Sequence, residues 1–228
     1  MSEKLSIFNY RKRGVTMHCT RNVTENIEAK ALFNIPYGLY VLTAKDGAKD
    51  NGCIINTVMQ ISEEPLLISV AVNKDSLTHD MILKTVEFNV SVLTENTPFN
   101  VFKTFGFQTG RETEKFAGCE DFRATNDIRY IPNFTNSYFS AIVTEARDCG
   151  DHTLFIAEIK EAVILSSDVS LTYKYYLDNI KPKPQKSTAD KKGFVCKICG
   201  FVYEGETLPP DYICPLCKHG TSAFEVLK

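Results

Sequence analysis

Residues 194–224 read FVCKICGFVYEGETLPPDYICPLCKHGTSAF and carry the most distinctive pattern of the C-terminal part of the chain. It contains two Cys-x-x-Cys pairs, Cys196 with Cys199 and Cys214 with Cys217, separated by fourteen residues. Four thiolates at this spacing can surround one metal ion as a tetrahedron. Sulfur ligands are soft, so they favour zinc or iron over magnesium or calcium. The spacing therefore predicts a metal site without choosing between zinc and iron.

The residues around the cysteines favour iron. Gly200 follows the second cysteine and can adopt a left-handed conformation that turns amide groups toward the sulfurs. Pro215 stiffens the second cysteine loop. Amide donors to sulfur tune the reduction potential of a metal, and an aromatic shell limits the access of water. That shell comprises Phe194, Phe201, Tyr203, Tyr212 and Phe224. A structural zinc ribbon remains the alternative.

Three segments, CKICGFVYEG, LPPDYICPLC and SAFE, make the last 36 residues resemble rubredoxin, a mononuclear iron electron carrier. The resemblance implies one iron held by the four cysteines, an Fe(Cys)4 centre. This chain departs from the usual rubredoxin in a shorter loop between the cysteine pairs, in Lys218 after the last cysteine, and in Tyr212 where a tryptophan is usual. These departures bear on loop shape and reduction potential rather than on the ligand set.

The whole chain has 228 residues, enough for one ordinary domain and one small module. Its formal net charge of -2 gives no strong field to attract polyanions, so we expect no nucleic acid partner. No apolar run approaches the roughly 20 residues of a membrane helix, and the N-terminus lacks the apolar core of a signal peptide. We therefore expect a cytoplasmic protein with no membrane partner. The remaining cysteines, interpreted as buried small apolar residues, are Cys19, Cys53, Cys119 and Cys149.

Composition divides the chain into four parts. Residues 1–22 form a polar N-terminal extension, and residues 23–180 carry the strand signals of a main domain. Residues 181–192, KPKPQKSTADKK, contain no large apolar side chain and are interpreted as a linker. Residues 193–228 form the metal module.

The main domain is predicted to be mainly β, an antiparallel barrel or sandwich, because it alternates many short strands with few helices. A short helix is predicted over 27–33, a helix over 76–85 with Asp75 or Ser76 as N-cap, and another over 98–105 with Thr97 as N-cap. The predicted strands span residues 35–44, 53–61, 66–72, 88–93, 139–146 and 153–165.

Three blocks of the main domain resemble the flavin reductase-like family of FMN-binding split β-barrels. They are NGCIINTVMQISEEPLLISVAVNKDSLTH at 51–79, FGFQTGRETEKF at 105–116 and GDHTLFIAEI at 150–159. Their occurrence in this order makes the resemblance specific. It implies a split barrel that binds FMN and is usually a homodimer.

Several residues of the first block suit a flavin chemically. Gly52 lets a flat ring approach the backbone, and Asn56 and Thr57 offer polar groups to the edge of an isoalloxazine. A helix N-terminus favours an anion. The residues predicted to hold the FMN phosphate at the start of the 76–85 helix are Asn73, Lys74, Ser76 and Thr78.

The resemblance adds residues from the other two blocks. Phe105 and Gly106 match the segment that passes along the flavin, while Arg111 and Lys115 are candidates for contacts with phosphate or a nicotinamide dinucleotide. His152 matches a histidine that faces the flavin in relatives that use a nicotinamide cofactor, and is the candidate catalytic residue. The chain has no G-x-G-x-x-G motif, so NAD(P)H must dock on the barrel itself.

The order of the two domains resembles the high-molecular-weight rubredoxins. This implies an oxidoreductase that relays electrons from NAD(P)H through FMN to the Fe(Cys)4 centre. NAD(P)H would act directly or through an NAD(P)H:rubredoxin reductase, and the electron acceptor would be a flavodiiron protein that reduces O2 or NO. The alternative is a self-sufficient NAD(P)H-dependent flavin or ferric reductase with an accessory rubredoxin or zinc-ribbon module.

Overall fold

The computed structural model describes residues 28–182, 193–197, 201–214 and 219–226. The N-terminal extension, most of the linker, Gly200, Pro215 and Lys218 lie outside the described residues. The chain divides into two compact units, residues 1–35 and 36–228. In the first unit, the predicted short helix is a 3-10 helix over Ala29–Asn34.

The second unit is built on one antiparallel sheet of seven strands, in the order β2-β1-β5-β6-β7-β4-β3. No helix in the described ranges is long and apolar enough to cross a membrane. The strands are β1 Tyr40–Asp46, β2 Lys49–Ile55, β3 Val58–Glu63, β4 Leu66–Asn73, β5 Glu87–Leu93, β6 Thr135–Asp148 and β7 His152–Ile164.

The strand predicted over 53–61 is wrong, because the chain breaks there into β2 and β3. The two strands are the opposite outer strands of the sheet, yet only Asn56 and Thr57 connect them. Two residues span less than about 10 Å, so the sheet must curl until its outer strands are neighbours. The hydroxyl of Thr57 donates a hydrogen bond of 3.0 Å to the carbonyl oxygen of Ala71 on β4, which anchors the crossing.

Two helices cover the sheet in the described part of the main domain, α1 Leu77–Thr85 and α2 Phe99–Gly106. The predicted Ser76 cap of α1 is confirmed, because the Ser76 hydroxyl accepts a hydrogen bond of 3.2 Å from the amide of Thr78. The predicted Thr97 cap of α2 is wrong. The Thr97 hydroxyl instead donates to the Thr94 carbonyl oxygen, and α2 begins after Pro98 without a side-chain cap.

Strand β1 is buried on both faces, which creates two apolar clusters. Leu42 and its neighbours pack with α1 in one cluster, whereas Val41 packs with α2 in the other. Successive strand residues point to opposite faces, so one strand serves both clusters. Phe102 and Phe105 of α2 lie in the second cluster, which places the C-terminal end of α2 beside the end of β2.

The C-terminal part of the unit is small. A short helix α3, Tyr173–Tyr175, continues into a π-helical turn over Tyr176–Ile180. Beyond the linker, strands β8 Gly193–Cys196, β9 Val202–Glu204 and β10 Phe224–Val226 form a three-stranded sheet in the order β10-β8-β9, and a 3-10 turn over Thr221–Ala223 precedes β10.

Candidate functional site

A cavity of about 640 Å³ opens in the second unit, and all three blocks that carry the flavin reductase resemblance line it. Segments separated by up to a hundred residues in the sequence therefore meet at one place. The lining comprises residues 51, 53–56, 71–73 and 75–77 of the first block, residues 105–110, 112, 113 and 115 of the second, residue 152 of the third, and residue 219 of the C-terminal module.

The cavity brings together part of the predicted FMN site. The predicted residues that line it are Asn56, Asn73, Ser76, Phe105, Gly106, Lys115 and His152. The predicted residues that are not part of its lining are Gly52, Thr57, Lys74, Thr78 and Arg111.

The space beside Gly52 is filled by protein side chains. A Cβ atom at Gly52 would lie 3.1 Å from Cδ1 of Phe105 and 3.1 Å from Cγ2 of Thr43. Both distances are shorter than ordinary van der Waals contact. Glycine is therefore needed here so that the end of α2 can pack on β2.

Lys74 and Arg111 each form an ion pair with a carboxylate. The Lys74 ammonium lies 2.8 Å from Asp148, and the Arg111 guanidinium lies 2.6 Å from Asp80. The hydrogen bonds from these cations hold the pKa of both Asp148 and Asp80 below the ordinary value. Their charges are thus already neutralised in part by protein groups.

Lys115 brings a buried cation to the cavity wall. The residue is only 6% exposed, and its ammonium donates hydrogen bonds to the carbonyl oxygens of Gly52, at 2.8 Å, and Phe105, at 3.2 Å. Removal from water lowers its pKa, since burial disfavours the charged form. The sequence analysis named Lys115 as a candidate for contact with phosphate or a dinucleotide, but nothing local signals that this lysine will be buried.

Asn51 is a cavity residue that the sequence did not single out. Its side-chain amide donates a hydrogen bond of 2.9 Å to the Thr78 hydroxyl. Its side-chain oxygen is buried and has no hydrogen-bond partner in the described ranges. An unpaired buried acceptor is costly, so this oxygen suits a bound group that carries a donor.

His152 begins β7 and lies opposite Asn73 of β4 in the sheet register. Its side chain is 40% exposed, and its Nδ1 atom lies 2.9 Å from a carboxylate oxygen of Asp151. Contact with the imidazole lowers the pKa of Asp151. The ring is therefore held at an accessible part of the cavity wall.

The cysteines of the main domain do not share one environment. Cys53 lines the cavity, and burial raises the pKa of its thiol although Thr78, Ser76 and Lys115 oppose the shift. Cys119 and Cys149 are exposed, so their interpretation as buried apolar residues is wrong. Cys19 lies outside the described residues.

The described half of the predicted metal site has two equivalent turns. The amide of Cys196 donates to the carbonyl oxygen of Phe201, and the amide of Cys214 donates to that of His219, each at 2.8 Å and each across five residues. Cys196 and Cys214 are both fully buried and belong to one apolar cluster. Cys199 and Cys217 lie outside the described residues.

The residues present fit both implied cofactors. Each closed turn begins at the first cysteine of a Cys-x-x-Cys pair, and the two first cysteines share one cluster, as ligands of a single metal ion require. The cavity, with its buried ammonium and its unpaired acceptor, suits a ligand that has both an anionic and a donor group.

Comparison with known proteins identifies the class. The sequence model of the flavin reductase like domain matches residues 32–181, and the chain belongs to this family. The rubrerythrin, rubredoxin-like domain matches residues 194–225. The chain is a rubredoxin-fused flavin reductase-like oxidoreductase, and its family implies a flavin and iron.

The chain is similar in sequence to a rubredoxin and to a reductase. It is 33% identical to the high molecular weight rubredoxin of Moorella thermoacetica over 227 residues, 87% of this chain and 99% of that protein. It is 34% identical to the ferric-chelate reductase (NAD(P)H) of Archaeoglobus fulgidus over 150 residues, 66% of this chain and 89% of that protein.

A solved structure supports the fold alone. The NADH:FAD oxidoreductase SgcE6 of Streptomyces globisporus C-1027 superposes with a TM-score of 0.58 and 19% identity, over 63% of this chain and 85% of that chain. The resemblances drawn from the sequence are therefore confirmed at the level of family and fold.

Proposed function

We propose that the chain is an electron relay from NAD(P)H through FMN to an iron held by Cys196, Cys199, Cys214 and Cys217. The main support is that one cavity collects residues of all three flavin-family blocks in a chain whose other domain is rubredoxin-like. A bound flavin takes a hydride as two electrons and releases them singly, whereas an iron with four thiolates handles one electron at a time.

Different residues of the cavity would bind different groups of FMN. The N-terminus of α1, capped by Ser76, favours an anionic group, and the ammonium of Lys115 adds positive charge at the wall. Lys115 suits this task better than Lys74 or Arg111, because both of those are paired with carboxylates. Asn51 offers its unpaired oxygen to a donor on the flavin.

His152 would help to bind NAD(P)H, the electron donor. Its exposed ring stands at the cavity and is oriented by Asp151, so it can contact a nicotinamide that approaches the flavin. The acceptor of the iron's electron would be a separate redox protein of the flavodiiron class.

An anaerobic visible spectrum recorded during titration with NADH tests the relay. We expect flavin absorption and the charge-transfer bands of Fe(Cys)4 both to bleach, with three electrons taken up per chain: two by the flavin and one by the iron. Flavin that bleaches while the iron bands persist would contradict transfer between the centres. If neither centre bleaches, direct reduction by NADH is contradicted and a separate reductase is favoured.

A second candidate function is a flavin or ferric reductase that releases its flavin. The similarity to the ferric-chelate reductase of Archaeoglobus fulgidus favours it. The two functions differ in how tightly flavin is held, since a relay needs FMN to remain bound through each cycle. Gel filtration followed by a flavin assay separates them: retained FMN supports the relay, and loss of flavin supports the reductase.

We also propose a cytoplasmic homodimer. Cys119 and Cys149 are exposed thiols, which suit a reducing compartment. The outer strand β3 and its neighbour β4 expose Met59, Ile61 and Leu66, with 63%, 41% and 39% of each residue accessible. An exposed apolar patch is the usual mark of an interface. Sedimentation should show a dimer, and Met59→Glu should convert it to a monomer.

A further inference from the structure

Phe107 contacts both the main domain and the C-terminal module, which belong to the second unit. It follows the last residue of α2, lines the cavity and packs with the apolar cluster of the main domain. Its side chain also packs against the buried cluster of the C-terminal module, which contains Cys196, Cys214 and Ala223. One aromatic side chain thus contacts both the cavity and the cluster that holds two of the metal-ligand cysteines.

His219 makes the complementary connection from the module. It is a lining residue of the cavity, although it lies more than sixty residues beyond His152 and on the other side of the linker. Its carbonyl oxygen accepts the 2.8 Å hydrogen bond from the amide of Cys214. The backbone that places His219 at the cavity is therefore the same backbone that closes the second cysteine turn.

The cavity lining also includes Asp75 and Glu112. His152, the candidate contact of the nicotinamide, belongs to the same lining. The module and a dinucleotide donor would therefore contact the same cavity. The other walls of this cavity are formed by the sheet and by α2.

We propose that the metal module docks within its own chain on the mouth of the flavin cavity, through Phe107 and His219, and that the docked module and a dinucleotide exclude each other there. This rests on the proposed function, because it concerns where the donor and the metal module meet the flavin. The exclusion implies that the module leaves the cavity while the dinucleotide binds and returns afterwards.

Photochemical cross-linking tests the docking without measuring electron transfer. The variant is full-length Phe107→p-benzoylphenylalanine, loaded with FMN and metal, and the control places the same group at Phe122, an exposed phenylalanine outside the cavity lining. Each variant is prepared both with and without a heavy-isotope label, and an equal mixture of the labelled and unlabelled chains is irradiated. Mass spectrometry then identifies the linked peptides.

We expect position 107 to link to peptides of residues 193–226 carrying the same isotope label, and position 122 to give no such link. Absence of the module link at position 107 would overturn the docking. A link that joins labelled to unlabelled chains would show that the module docks on a second copy instead. Because the link forms whether or not electrons flow, failure of the relay leaves this result interpretable.

Two additions to the same experiment test the contact and the exclusion. His219→Ala should remove most of the module link, whereas Glu225→Ala, an exposed residue of β10, should retain it with the same metal spectrum. Saturating NAD+ should also remove most of the link, in a preparation whose flavin has been shown to be reduced by NADH. A link that survives saturating NAD+ there would overturn the exclusion.

Discussion

The ammonium of Lys115 donates a 2.8 Å hydrogen bond to the carbonyl oxygen of Gly52, although only 6% of the lysine is exposed. A second hydrogen bond, to the carbonyl oxygen of Phe105, ties β2 to the end of α2. None of the ion pairs in the described part of the chain includes Lys115. A buried cation is costly unless it is compensated, so an anionic ligand at this wall would stabilise it.

Lys115→Met should lower FMN affinity by about tenfold or more. Hydrogen bonds to charged groups contribute about 1.5–3 kcal/mol, and about 1.4 kcal/mol corresponds to a factor of ten. Isothermal titration of flavin-free protein with FMN measures the change. Lys103→Met, in the same helix as Phe105 but outside the cavity lining, should bind FMN as the wild type does. Equal affinity of the two variants would contradict a role for the Lys115 charge.

Gly110→Ala should destabilise the domain by displacing Asn51. A Cβ atom at Gly110 would lie 2.0 Å from the Asn51 side-chain oxygen, much closer than any contact allows. We expect a cost of about 1–3 kcal/mol in the free energy of unfolding, measured in urea without flavin.

The Gly110 prediction has an internal control. In an Asn51→Ala background the clash is gone, so the cost of Gly110→Ala should fall by about 1 kcal/mol or more. Gly220→Ala, where nothing lies within 4 Å of the new Cβ, should leave stability nearly unchanged. Additive costs for Gly110→Ala and Asn51→Ala would show that the two residues do not interact.

His152→Ala should slow the reduction of bound flavin by NADH by about tenfold, because one hydrogen bond to the donor, about 1 kcal/mol or more, is lost. Anaerobic stopped-flow absorption measures this rate. Reduction of the same sample by dithionite, which needs no binding site, should keep the wild-type rate. If both reductants are slowed equally, the histidine affects the flavin itself rather than the approach of the dinucleotide.

Cys214→Ala should abolish metal binding and leave flavin binding intact. Cys214 is fully buried in the module cluster, and loss of one thiolate opens the tetrahedral site. We expect the charge-transfer bands and the iron content to disappear while the flavin spectrum persists. Cys149→Ala, an exposed cysteine, is the matched control and should retain both. Wild-type protein that contains one zinc and no iron after anaerobic expression would contradict the relay.

Features that depend on neighbouring residues could be predicted from the sequence. Two Cys-x-x-Cys pairs indicated the metal module, because ligand chemistry and short spacing are visible in the chain. Ser76 was recognised as a helix cap for the same reason, since its hydroxyl serves an amide two residues away. The alternation of apolar residues located most strands, although it merged β2 and β3 into one.

The charges that are available to a ligand could not be predicted, because they depend on tertiary contacts. Lys74 meets a carboxylate 74 residues away, Arg111 one 31 residues away, and Lys115 a carbonyl 63 residues away. Local sequence carries no record of such partners, because they are brought together by the curling of the sheet and the packing of α2. His219 of the module likewise lines the cavity, and no feature of its neighbouring residues in the sequence indicates this.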